Sequence, residues 1–113
     1  MKLIYKNSVL NIKIKKNILS KAVGIMFSMK IKHNDGVLFI NNKENIINSI
    51  LHTLFVFYPI KVIWLDSKFK VVDVKILKPF TLLAVPQRKA KYILELSPKA
   101  LKNIKIDTKL KLK

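Results

Sequence analysis

"SILHTLFVFYPIKVIWLD", Ser49 to Asp66, is the most hydrophobic stretch of this 113-residue chain, and its reading decides the fold. A membrane-spanning helix needs about 20 predominantly apolar residues with few or no charges. The segment from Ile46 to Leu65 is interrupted by Asn48, Ser49, His52, Thr53, Pro59 and Lys61. A proline and a lysine near its centre would leave a charge deep in lipid, which is costly. Phe55, Val56, Phe57, Tyr58, Val62, Ile63 and Trp64 are instead the β-branched and aromatic types that favour strands. The stretch therefore reads as two strands, Ile50–Tyr58 and Ile60–Leu65, with Pro59 at the bend between them. It predicts core, and no membrane span.

Outward from it, the same period of two recurs. "LDSKFKVVDVKIL" continues the second strand into a hairpin, with a turn at Asp66–Phe69 and a return strand over Lys70–Leu77. "VLNIKIKK" alternates Leu10, Ile12 and Ile14 with Asn11, Lys13 and Lys15, a strand with one lysine-bearing face, and "KLIY" before it is a shorter partner. "HNDGVLFI" predicts a turn at Asn34–Gly36 and a strand at Val37–Ile40, followed by a polar surface loop, "NNKEN". "KAKYILEL" and the terminal "KLKLK" alternate as well. "KPFTLLAVPQRK", with Pro79 and Pro86, reads as a loop or edge segment.

Two places read as short helices. "NILSKAVGIMFSMKI" has Ile18, Val23, Ile25 and Met26 at irregular helical spacing, with Asn17 or Ser20 as cap and Gly24 as terminator. "SPKALKNI" has Ser97 as N-cap and Pro98 at the first helical position, where its missing N–H costs nothing.

Composition narrows the chemistry. One domain fits the length. There is no cysteine, so disulfides, thiolate nucleophiles and Cys-based metal sites are excluded, and His33 and His52 are the only imidazoles. The amino terminus shows no uninterrupted apolar run followed by a small-residue cleavage site, which predicts a cytoplasmic protein. The net charge of +17 comes from 23 basic and 6 acidic residues. Such an excess favours polyanions, because counterions released from a phosphate backbone drive binding. Against that, the lysines are spread along the chain, and Arg88 is the only arginine, the residue best suited to bidentate phosphate contacts. A solvated lysine coat accounts for the charge.

The order of short motifs resembles one family. The blocks are "GIMFS" (Gly24–Ser28), "GVLF" (Gly36–Phe39), "ILHTLFVFYPIKVIWLD" (Ile50–Asp66), "KVV" (Lys70–Val72), "LKPF" (Leu77–Phe80) and "YILELSP" (Tyr92–Pro98). They are similar to those of domain-of-unknown-function family 192, also called uncharacterised protein family 0127. The resemblance implies a compact, jelly-roll-like β-sandwich with short helices, and it implies no activity. The chain departs from the family pattern at several points. Lys61 stands where the family has an acid, Ser28 where it has an arginine, and Phe69, Lys99 and Ile106 where it has glycines. Loss of the acid and the arginine together would remove a potential ion pair. Loss of the glycine at Phe69 predicts a turn without a positive φ.

Few residues carry a chemical signal. His52 and Thr53 interrupt the apolar strand on opposite faces, and a buried histidine bonded to backbone is the plain reading of His52. Asp66 is explained by turn chemistry. Glu95, in "ILEL", is expected to pair with a lysine on a neighbouring strand. The acids Asp35, Glu44, Asp66, Asp73, Glu95 and Asp107 show no paired spacing of the kind that acid–base catalysis uses. With only Gly24 and Gly36 there is no phosphate-cradling loop.

The sequence thus predicts a single, mainly β domain: a compact β-sandwich or jelly-roll-like fold with one or two short helices. It predicts no cofactor, no metal site and no catalytic residue. The predicted role is a non-enzymatic module binding a small molecule or a protein, with Gly24, Met26, Phe27 and His52 as candidate ligand contacts. Two alternatives stand beside it: a binder of RNA or DNA phosphates through the lysine coat, with non-specific nucleic acid as partner, and a hydrolase assembled from distant residues.

Overall fold

The computed structural model describes residues 1–15, 31–45, 58–78 and 84–113. They form seven strands: β1 (Lys2–Tyr5), β2 (Ser8–Lys15), β3 (Asp35–Asn45), β4 (Ile60–Leu65), β5 (Val71–Leu77), β6 (Ala90–Leu96) and β7 (Lys111–Leu112). All seven lie in one sheet of order β5-β4-β6-β3-β2-β1-β7. Every neighbouring pair is antiparallel except β2 and β3, which run parallel.

The sheet does not end in two free edges. Lys70, at the head of β5, bridges to Lys109, just before β7. Around that bridge Val71 N–H donates to Thr108 O (2.8 Å), Asp107 N–H to Val71 O (2.7 Å) and Leu110 N–H to Phe69 O (2.9 Å). The two outermost strands are therefore tied together at one end, and the sheet curls into a partly closed half-barrel. Partial closure of this kind shortens the exposed edge that an open sheet would present.

This corrects the expected architecture. A curled single sheet replaces the two-layered sandwich or jelly roll, and no described residue is helical. Alternation shows that a strand buries a face, but not whether that face meets a second sheet or the far side of its own. The helix expected from Ser97 is a run of turns. Ala100 N–H donates to Ser97 O at 3.0 Å, and Leu101 and Asn103 take left-handed φ values of 47° and 63°, which end any helix. The other expected helix, and the expected strand Ile50–Tyr58 except for its last residue, lie outside the described residues. "NNKEN" is not a loop but the second half of β3, whose pairing with β6 shifts register between Ile40 and Asn45.

The curl buries two apolar layers. Inside it, Leu3, Leu10, Ile12, Leu38, Ile63, Leu65, Leu94 and Leu96 pack together, and Ala100, Leu101 and Leu110 close the layer. On the outer face, Phe39, Ile60, Val62, Trp64, Val72, Leu77 and Ile93 form a second cluster, with Ala84 against them. β4 is central to both. All six of its residues are buried, with Ile60, Val62 and Trp64 on one side and Lys61, Ile63 and Leu65 on the other. That explains its near-continuous apolar sequence, since a strand covered on both faces has no polar side to show.

The β4–β5 hairpin turns as Asp66 suggests: its Oδ1 accepts from Lys68 N–H (2.9 Å) and Lys70 N–H (3.0 Å). Phe69 nevertheless adopts a φ of 63°, so the turn keeps the left-handed residue without glycine. The Phe69 ring packs edge-on to Tyr92, centroids 4.4 Å apart, and its carbonyl accepts from Leu110. These contacts offset a backbone cost of about 1 kcal/mol.

Gly36 has no room for a side chain. A Cβ there would lie 2.5 Å from Leu96 Cδ2, 2.9 Å from Ile12 Cδ1 and 3.3 Å from the Glu95 carbonyl oxygen. Leu96 and Ile12 are themselves buried and have little room to give. Gly36→Ala is expected to destabilise the fold by about 1–3 kcal/mol through overpacking, read as a lowered denaturant midpoint with unchanged slope.

Candidate functional site

The sequence candidates Gly24, Met26, Phe27 and His52 all lie outside the described residues. The described part of the fold draws attention elsewhere, to the end of the curl where the β1–β2 hairpin faces the turns after β6. Between them lies a cleft of about 710 Å³. One wall is the hairpin tip, from Tyr5 to Val9. The opposite wall is the turn carrying Lys99, Ala100, Leu101 and Lys102, and His33 and Asn34 close one end.

Each wall has a physical reason to be where it is. Leu3 and Leu10, paired across the hairpin, are 1% and 3% exposed and anchor it in the interior, which leaves Tyr5–Val9 projecting beyond the sheet. Ala100 and Leu101 are pulled inward to cap the same interior, so Lys99 and Lys102 on either side are left exposed. Lysines line both walls: Lys2 and Lys6 on the hairpin side, Lys99 and Lys102 on the turn side. The Lys6 ammonium also lies 5.4 Å over the Tyr5 ring.

Behind the turn wall sits Lys61, 7% exposed and on the inner face of β4. Its Nζ donates to the carbonyls of Ala100 (2.6 Å) and Leu101 (3.3 Å). In an α-helix those carbonyls would accept from the amides four residues on. Here the ammonium takes them, and Ile104 N–H turns instead to Leu101 O at 3.4 Å. An acid at this position has no proton to offer a carbonyl once ionised. The change from the family's acid to Lys61 is thus matched to the backbone in front of it.

A second hollow, of about 590 Å³, shares His33 and Lys99 with the cleft and is otherwise walled by Ile31, Lys32, Pro59, Ser97 and Pro98. A polar space thus adjoins a more apolar one. Lys6 and Lys102 carry no signal in the sequence, because neither interrupts a pattern, and His33 stands out there only as one of two imidazoles. Lys99 did carry a signal, as a lysine in place of the family glycine.

The other buried polar groups serve structure. Asp73, 8% exposed, accepts from Val74 N–H at 2.8 Å and Gln87 N–H at 2.9 Å, while Gln87 Nε2 donates to Val72 O at 2.9 Å. Lys75 lies 4.0 Å from Asp73, 5.9 Å over the Trp64 ring, and donates to Val85 O. These contacts fasten residues 85–87 to the outer face of β5. Glu95 is 3% exposed, and its cross-strand neighbours in register are Val37 and Val62. Among the described residues no three His, Asp or Glu side chains gather as a metal site would require.

With this geometry in hand, comparison with known proteins is decisive for family. The family model of DUF192, described as "Uncharacterized ACR, COG1430", matches residues 2–113. The chain belongs to this family. A UPF0127 protein of Pyrococcus horikoshii is 38% identical over 91 residues, covering 80% of this chain and 75% of that one. Its counterpart in Pyrococcus furiosus is 39% identical over 79 residues, covering 70% and 65%. In Thermococcus kodakarensis the matched part is 52% of the relative's length. Among solved structures, a protein of unknown function from Novosphingobium aromaticivorans superposes with a TM-score of 0.83 at 15% identity, over 98% of this chain and 82% of that one. A candidate transcription regulator from Sinorhizobium meliloti superposes at 0.84 with 14% identity, over 97% and 89%. At such identities the likeness is one of fold.

Burial holds the Lys61 ammonium below the ordinary lysine value, because desolvation disfavours the charged form. The unfolded chain then binds the proton more tightly than the folded one between the lowered value and about 10.4. Stability contributed by this group is therefore lowest below that window and rises as pH rises through it. Chemical unfolding of wild type and Lys61→Met from about pH 7 to about pH 10 is expected to show wild type gaining on the variant as pH increases. A constant or shrinking difference would contradict the assignment.

Proposed function

We propose that this domain is a non-enzymatic binding module for a small molecule, and that its site is the cleft between the β1–β2 hairpin and the turn at Lys99–Lys102. The observation that carries the reading is the pairing of spaces: a cleft of about 710 Å³ rich in hydrogen-bonding groups shares a wall with an apolar hollow of about 590 Å³. Small-molecule sites combine an apolar surface with a few convergent polar groups in this way. The polar side offers Tyr5, Ser8, Asn11, His33 and Asn34 besides the lysines. The apolar side offers Ile31, Pro59 and Pro98. Both walls are fixed by residues buried in the interior, so the site is held ready rather than assembled on binding.

A thermal-shift screen of a compound library tests this. A compound present at about 100 times its Kd adds about 2.7 kcal/mol to the folded state, which raises Tm by several degrees. Asn7→Trp places a bulky ring at the exposed hairpin tip without changing charge. Stabilising compounds are expected, and their effect is expected to vanish in Asn7→Trp. An empty screen, or hits that survive the substitution, would remove the cleft from consideration.

A further inference from the structure

The turn wall of the cleft has a property that its side chains alone do not convey. The carbonyls of Ala100 and Leu101 both point at the Lys61 ammonium, and the chain has no cis peptide among its described residues. In a planar trans peptide the C=O and the following N–H point in opposite directions. The N–H groups of Leu101 and Lys102 therefore point away from the buried lysine. The φ angles support this reading. Leu101 and Asn103 are positive, at 47° and 63°, while Ala100 and Lys102 between and before them are not among the positive-φ residues. Alternating signs along consecutive residues gather successive N–H groups on one side of the backbone, the arrangement that makes an anion-binding concavity.

These amides lie in a wall flanked by cations. Lys2, Lys6, Lys99 and Lys102 line the cleft, and no Asp or Glu lines it among the described residues. The neighbouring hollow along β2 and β3 differs, because Asp35 sits there among its lysines. Lys61 adds to the effect from behind. A cation hydrogen-bonded to a peptide carbonyl polarises that peptide and strengthens its N–H as a donor. Its charge also acts through the apolar interior, where screening is weaker than in water.

We propose that the cleft recognises a small molecule through a compact anionic group, a phosphate or a carboxylate, received by the N–H groups of Leu101 and Lys102 and by the ammonium groups of Lys6, Lys99 and Lys102. In this arrangement Lys61 is a positioning residue: it touches no ligand, and it holds and polarises the two peptides that do. The proposal rests on the reading of the cleft as a ligand site and adds to it the chemical class of the ligand.

The test is a titration of the ¹⁵N-labelled full chain with inorganic phosphate and, separately, with citrate, at constant ionic strength balanced by chloride. The expected result is saturable downfield movement of the Leu101 and Lys102 amides with one of the two anions, which also tells phosphate from carboxylate recognition. Lys99→Ala/Lys102→Ala, two exposed positions outside the core, is expected to weaken binding at least tenfold with the fold intact. Lys61→Met is expected to abolish the movement at the two amides, while the lysines still attract the anion weakly. Movement spread evenly over surface lysines with Leu101 and Lys102 unmoved would overturn the proposal, as would unchanged amide shifts in Lys61→Met. Tighter binding of a homopolymeric RNA, with shifts along Lys105–Lys113 in place of the two amides, would overturn it in favour of a polyanion surface. If uncharged compounds protect the cleft in the thermal screen while neither anion binds, the anion assignment fails and the ligand site stands. If nothing binds there by either method, both fail.

Discussion

A strand with no polar face must be covered on both sides, and β4 is such a strand. Ile60–Leu65 is buried throughout, Val62, Ile63 and Trp64 completely. One sheet cannot cover both faces of such a strand while it stays flat. Curling encloses the inner face, so that Ile63 and Leu65 meet Leu3, Leu10 and Leu110 across the interior. The outer face then needs a separate cover, to which Ala84 contributes. The curl is held by main-chain bonds from residues 107–110 to Phe69 and Val71, which join the two outermost strands.

The same chain segment that closes the curl also shapes the cleft. Between β6 and β7 it first dips into the interior at Ala100 and Leu101, and then crosses to the head of β5 at Asp107–Leu110. That path leaves its exposed lysines facing the projecting β1–β2 hairpin. A lysine at position 61 is an expensive choice for the inside of a half-barrel, since its charge is taken out of water. Two carbonyls at hydrogen-bond distance compensate it, and they exist only because the segment is not helical. The buried charge, the failed helix and the cleft wall are thus one feature seen from three sides.

Much of the sheet was legible in the sequence, because alternation and turn chemistry are local. The hairpin at Asp66, β4 with its bounds, the strand pair at the amino terminus, β6 and the terminal strand all follow from patterns within a few residues. What was not legible depends on distant partners. Ser97-Pro98 fits the start of a helix and equally the start of a turn, and Lys61, 39 residues away in sequence from Ala100, favours the turn. Phe69 shows a related limit. Its positive φ is disfavoured by residue type, yet Tyr92 and Leu110 hold it there. "NNKEN" is polar enough for a loop and forms strand because β6 offers a partner. The candidate site was the least legible part. Lysines that line a cleft look the same in sequence as lysines that coat a surface, and only the turn at Ala100–Lys102 separates them.

The fold and the cleft both depend on closure of the curl, and amide hydrogen exchange reads that closure directly. Val71, Asp107 and Leu110 donate the bonds that tie the outermost strands, Val71 on one side and Asp107 and Leu110 on the other. If the sheet is closed as described, their amides exchange slowly and at rates close to those of the fully buried strand β4, opening only with global unfolding. Exchange at these three positions as fast as at a frayed edge, with β4 still protected, would show an open sheet and leave the cleft without its fixed wall.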